Sequence, residues 1–292
     1  MTNMSEIPKQ ANRWLRLMRL DRPIGTYLLL WPTLWALWFA GEGSPSLANL
    51  IIFTLGVVSM RAAGCVINDY ADRNVDGSVE RTKNRPLPAG EIQPNQALIL
   101  FFVLLCLSLA LVLMTNQLTI ILSFGGLALA ATYPFLKRFT HLPQLGLGAA
   151  WAWAVPMAFA AERNQLPVTL WLIFVAVILW TIAFDTYYAM VDREDDLKVG
   201  IKSTAILFGR YDLLIIALLQ LMTLILLFIA GLEFSRSWFY MSGLIAAALY
   251  FVNQYIQARS REREACFESF LNNHRVGMVI FIGLALDYLL LG

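Results

Sequence analysis

The stretch VTLWLIFVAVILWTIAFDTYYAMV (168–191) runs without a break into the acidic cluster DREDD (192–196). A helix over its apolar part is roughly 36 Å long at 1.5 Å per residue, enough to cross about 30 Å of hydrocarbon. Reading outward, comparable runs occupy roughly 24–41, 47–67, 96–114, 117–136, 144–161, 212–232, 237–257 and 275–291. Gly146, Gly148 and Pro156 weaken the fifth of the nine in chain order. The chain is 59% hydrophobic and only 14% charged over 292 residues, far too apolar for a soluble domain. No alternating β pattern appears, so a barrel is not expected. The expectation is an all-α membrane protein of about nine transmembrane helices in one bundle, a single domain over 1–292.

Basic residues orient that bundle. Of the 22 Lys and Arg, all but Arg61, Arg163 and Arg236 fall in the N-terminal segment or in alternate loops. The positive-inside rule then places the N-terminus and the acidic loops in the cytosol. An odd number of spans puts the C-terminus outside. The Trp-rich first run is too long for a cleavable signal and lacks a small-residue cleavage site. Cys65, Cys106 and Cys266 show neither metal spacing nor a disulfide framework, and His141 and His274 are too few for haem or zinc. With a net charge of +2 and no basic-aromatic module, nothing points to nucleic acid.

A second acidic cluster follows the run 47–67: NDYADRNVD (68–76). On a helix Asp69, Asp72 and Asp76 fall at i, i+3 and i+7, one face; Asp192 and Asp196 share a face with Asp185 two turns earlier. Carboxylates beside a bilayer are costly unless a cation meets them. Hard oxygen ligands followed in each loop by cations suit Mg²⁺ carrying a diphosphate. Those cations are Arg81, Lys83 and Arg85 in the first loop, and Lys198 and Lys202 in the second. Aligning Asn68 with Asp192 brings Asp72 onto Asp196 and Arg61 onto Asp185. This reads as a weak parallel duplication, with coincidence as the alternative. Arg61 and Asp185, opposite in charge and equal in depth, are expected to pair or share a network.

Such a site can stabilise a departing pyrophosphate while Lys and Arg bind its oxygens, and heterolysis of an allylic C–O bond is the natural use. Tyr133 and Lys137, at i and i+4 before Arg138, can offer a ring face to a cation and an ammonium to phosphate. An interfacial Tyr with a topogenic Lys-Arg pair is the plainer reading. Transport of a cation or lipid phosphate stays open, although acids clustered toward one side favour an enzyme. The tryptophans read as belt or packing residues, Gly125, Gly126, Gly146 and Gly148 as close helix contacts, Asp287 as interfacial, and Arg259–Glu264 as a solvated charge run.

NDYADRNVD, the following RTKNRPLPAG, YPFLKR (133–138) and DTYYAMVDREDD (185–196) together resemble the UbiA superfamily of intramembrane prenyltransferases. LDRPIGTYLLLWPTLWALW (20–38) is similar to the branch that acts on 4-hydroxybenzoate in ubiquinone biosynthesis. The resemblance runs from about Arg13 to the last span. It implies a central cavity capped by cytosolic loops and Mg²⁺-dependent transfer of a polyprenyl group from polyprenyl diphosphate to 4-hydroxybenzoate; another aromatic acceptor is the alternative. By motif, it implies that Asn68, Asp72, Asp76, Asp192 and Asp196 hold the Mg²⁺-diphosphate, with Asp69 and Asp195 second in rank. Arg81, Lys83, Arg85 and Lys137 would contact phosphate, and Tyr133 would lie near the cleaved carbon. Asp192 or Asp185 would take the ring proton, and Arg22 or Arg138 would meet the substrate carboxylate. The membrane lipid itself would deliver the prenyl tail.

Overall fold

The computed structural model describes residues 9–76 and 84–291, side chains 9–11, 74–76 and 199 excepted. Every regular element among them is helical: α1 (Lys9–Leu17), α2 (Ile24–Ala40), α3 (Leu47–Asp76), α4 (Pro94–Val112), α5 (Gln117–Leu136), α6 (Pro143–Ala152), α7 (Ala154–Arg163), α8 (Leu170–Val199), α9 (Thr204–Phe208), α10 (Asp212–Glu233), α11 (Trp238–Gln257), α12 (Arg263–Leu271) and α13 (Asn273–Leu291). Among the described residues seven helices are long and apolar enough to cross a membrane, and α2 is a shorter apolar one. The run 144–161 is divided at Trp153 into α6 and α7. These account one to one for the nine apolar runs. The chain is a multi-pass membrane protein.

Two compact units are distinguished, residues 1–27 with 52–114 and residues 28–51 with 115–292. In the first, Leu17, Ala62, Ala63, Val66, Leu87, Ile92, Ala97 and Leu104 form the buried core. Helix α4 starts where Pro94 takes the first helical position and the Gln96 side chain accepts the Gln93 N–H at 3.1 Å, satisfying a donor the helix leaves open.

In the second unit α8 is central. It packs on α6, α10 and α12, and 61% of its apolar window is buried, against 6% for α5. Helix α5 therefore presents its apolar surface to lipid. The break after α6 lies four residues before Pro156, which has no N–H to donate to Ala152 O and so interrupts the helix there. The Trp153 ring occupies the space a Cβ would need at Gly125 and Gly126, and its Nε1 donates to Leu122 O at 2.7 Å. Gly148 lies against the backbone of Ile178, as close packing of small residues requires. Trp35 and Trp180 pack with their rings tilted by 31° and centroids 5.3 Å apart, and their indoles donate to Gly277 O and Asn273 Oδ1, both at 3.0 Å. These two tryptophans are core, not belt.

Asp287 is not merely interfacial. It is 1% exposed and accepts from the backbone N–H groups of Ser237 and Tyr240 at 3.0 and 3.1 Å. It thereby caps the start of α11 from a distant helix, with Arg236 as its counterion at 3.4 Å.

Candidate active site

Helix α8 does not stop where its apolar run ends. It continues through Asp192 and Asp196 and terminates at Gly200, whose φ of +74° few other residues adopt and whose N–H donates to Asp196 O. At about 100° per residue, Asp185, Asp192 and Asp196 lie within roughly 40° of one another. All three are half-buried. Helix α3 likewise carries its motif on a continuation of the apolar run, with Asn68 and Asp72 half-buried on successive turns. The Asp76 side chain, Arg81 and Lys83 lie outside the described residues.

Asp69 departs from the single face expected of the first motif. It lies about 100° round α3 from Asn68 and is 2% exposed, with Arg19 and Arg85 ion-paired to it at 3.0 and 3.1 Å. Arg19 holds a left-handed φ of 57°, unusual for a residue with a Cβ, and sits just past the end of α1. Arg61 donates to Cys65 Sγ at 2.8 Å, and its guanidinium fills the space a Cβ at Gly25 would take.

The second motif is backed by a matching cluster. Arg193, about 100° round α8 from Asp192, reaches the fully buried Asp212 at the start of α10 at 2.5 Å. Arg261 closes the cluster from the far side at 2.8 Å, and the Leu213 N–H donates to the same carboxylate at 2.7 Å. Hydrogen bonding to Asp212 raises the Arg261 pKa above its ordinary value. The segment 259–264 is thus not simply solvated. Arg263 from the same segment pairs with Glu194 and Asp195, each at 3.0 Å, and Lys198 pairs with Asp195 at 3.3 Å.

The loops after α5 and α8 are tied together. Lys202 donates its backbone N–H to Lys137 O at 3.1 Å and its ammonium to Phe139 O at 3.2 Å. An ammonium has three donors, so this bond leaves capacity for a phosphate. Gln144 Oε1 accepts the Thr204 N–H at 3.1 Å, and the Thr204 and Thr186 hydroxyls meet at 2.7 Å. Thr186 follows Asp185 in α8, so the segment after α8 is tied both to the loop after α5 and to the helix turn that carries Asp185. Tyr133 is half-buried near the end of α5. Arg138 is exposed, its guanidinium 5.9 Å from the Phe135 ring, and the exposed Arg22 lies 4.0 Å from Asp21.

Among the described residues no three His, Cys, Asp or Glu converge on a common metal position. Each motif helix instead offers paired oxygen donors, Asn68 with Asp72 and Asp192 with Asp196. That donor set fits Mg²⁺, which is held by one or two carboxylates and completes its shell with water and substrate phosphate. The residues that sequence reading missed are Arg19, Arg193, Asp212, Arg261, Gln144, Thr186 and Thr204. The signal available was a lone acid, Asp212, opening an apolar run.

A helical membrane fold with two such motifs defines a prenyl-diphosphate enzyme class, and the chain belongs to the UbiA prenyltransferase family, whose model matches residues 29–281. It is 61% identical over 277 residues to the 4-hydroxybenzoate octaprenyltransferase of Ectopseudomonas mendocina (strain ymp), covering 95% of this chain and 94% of the relative. It is 59% identical to the enzyme of that name from Psychromonas ingrahamii (strain DSM 17664 / CCUG 51855 / 37), covering 96% of this chain and 98% of the relative. Among solved structures, the apo UbiA homolog from Aeropyrum pernix K1 superposes with a TM-score of 0.79 at 28% identity, over 90% of this chain and 97% of that one. A UbiA homolog from Archaeoglobus fulgidus bound to GPP and Mg²⁺ shares the fold at 22% identity with a TM-score of 0.75, over 94% of this chain and 99% of that one.

Proposed function

We propose that this chain transfers a polyprenyl group from polyprenyl diphosphate to C3 of 4-hydroxybenzoate, with Mg²⁺, as a step of ubiquinone biosynthesis. The carrying observation is the continuation of α8 through Asp192 and Asp196, which sets paired oxygen donors at the end of an apolar helix. The near-full-length identity to relatives bearing that activity as their name supports the choice of acceptor.

Asn68, Asp72, Asp76, Asp192 and Asp196 hold the Mg²⁺-diphosphate. Bound there, Mg²⁺ supplies charge neutralisation to the diphosphate and makes it a better leaving group. Arg81, Lys83, Arg85, Lys137, Lys198 and Lys202 donate to its phosphate oxygens. Asp69 acts through Arg19 and Arg85, whose guanidiniums it holds in place, and Asp195 orients Lys198. As the allylic C–O bond breaks, its electron pair leaves with pyrophosphate. The Tyr133 ring face meets the allylic cation. C3 of the phenol, ortho to the hydroxyl, forms the new C–C bond, and Asp185 or Asp192 takes the displaced ring proton. Arg22 and Arg138 are the cations offered to the substrate carboxylate. The prenyl tail stays in lipid throughout. The basic-residue bias supports a bacterial inner-membrane orientation with the N-terminus and both motifs cytoplasmic and the C-terminus periplasmic.

Purified protein given Mg²⁺, a polyprenyl diphosphate and a panel of aromatic acids should yield 3-polyprenyl-4-hydroxybenzoate. Selective use of another acid would overturn the acceptor assignment, and full turnover in EDTA would overturn the metal.

A further inference from the structure

We infer that Asp212 is a positioning residue that keeps Arg193 off the ligand face of α8, an inference that rests on the metal-diphosphate reading above. Asp192 and Asp196 form that face, and Arg193 stands between them in sequence, three residues before Asp196. Residues three apart are neighbours on a helix surface and pair readily when opposite in charge. A guanidinium laid over Asp196 would compete directly with a divalent cation for its oxygens. What draws Arg193 aside is the buried carboxylate of Asp212, which Arg193 meets at 2.5 Å.

Three observations set this apart from a generic ion pair. Asp212 is 0% exposed, yet Arg261, also bound to it, is 41% exposed, so the acid is sunk where its partners are not. The buried Arg193 Nε has no hydrogen-bond partner among the described residues. Its guanidinium is therefore directed by the one carboxylate rather than by the greatest number of bonds. Third, the alignment of the two motifs places Arg193 on Asp69, and Asp69, about 100° round its helix from Asn68 and about 60° from Asp72, also enters a buried cluster of one carboxylate and two guanidiniums. Both motifs thus remove the residue after the first ligand from the metal face by the same device, with the charge of that residue inverted.

The test reads cation binding rather than turnover. Mn²⁺ is titrated into purified protein with inorganic pyrophosphate, and free Mn²⁺ is followed by electron paramagnetic resonance. Asp212→Asn should weaken Mn²⁺ binding about tenfold, the effect of one competing ion pair. Adding Arg193→Gln to Asp212→Asn removes the competitor and should restore wild-type affinity. Arg261→Gln, which leaves the pair between Arg193 and Asp212 in place, should bind Mn²⁺ as wild type does. Unchanged affinity in Asp212→Asn, or a double variant as weak as the single, overturns the inference. If Asp212→Asn does not fold, Arg193→Gln alone decides, since weaker binding than wild type contradicts a competing role. Wild-type protein that binds no Mn²⁺ would overturn the metal reading itself, a distinguishable failure.

Discussion

Replacing Asp69 by Asn keeps the side chain's shape and removes its charge from between two guanidiniums. Arg19 and Arg85 are 28% and 18% exposed, so neither can turn fully to water. Each attraction amounts to about 4 kcal/mol at a charge separation near 4 Å with an effective dielectric constant of about 20. Relief of the buried carboxylate's desolvation offsets part of the two together, and breaking a buried pair by removing one partner nets about 3–5 kcal/mol. At roughly 2–4 °C per kcal/mol, the melting temperature in detergent should fall by at least about 6 °C. Glu91→Gln is the control. It breaks the ion pair to Arg16, whose side chains are 32% and 38% exposed, and such surface pairs contribute about 0–1 kcal/mol. Thermal unfolding of purified wild type, Asp69→Asn and Glu91→Gln in one detergent reads the difference. Equal shifts in the two variants would refute the argument that burial makes Asp69 a structural clamp.

Asp72→Asn and Asp192→Asn should each abolish product formation in the prenyl-transfer assay while leaving the melting temperature within a few degrees of wild type. Gly243→Ala should destabilise by about 1–3 kcal/mol, as overpacking does, because a Cβ there would lie 2.8 Å from Val279 O and 3.2 Å from the Cα of Gly283 on the facing helix; chemical denaturation in mixed micelles checks it. Asp287→Ala should cost about 1 kcal/mol or more in the same measurement, since it uncaps α11 and strands Arg236. Arg61→Asp combined with Asp185→Arg should recover activity lost in either single variant if the two share a network, and an inactive double variant would separate them.

The apolar runs gave the span positions to within a few residues because hydropathy is a local property that survives in one dimension. The helical spacing of Asn68 with Asp72, and of Asp192 with Asp196, was legible for the same reason. What escaped depends on partners distant in the chain. Asp212 and Arg261 are 49 residues apart, so the segment 259–264 read as solvated when one of its arginines neutralises a buried acid. Asp287 looked interfacial because the two backbone donors it caps lie 50 and 47 residues before it. The division of the fifth run was partly legible, since Pro156 marks it as weak, but the seat of the Trp153 ring over Gly125 and Gly126 was not, because neither glycine advertises which side chain will cover it. Asp69 was grouped with Asp72 on periodicity alone. A separation of about 60° around a helix decides between the ligand face and the interior only once Arg19 is in place.

The cluster around Asp212 also bears on how the chain is made. During synthesis Arg193 has emerged before Asp212, but Arg261 follows 49 residues later, after α11 is complete. A nascent chain halted before that point must hold the carboxylate with a single counterion, so Arg261 arrives as a late lock on the pair formed by α8 and α10.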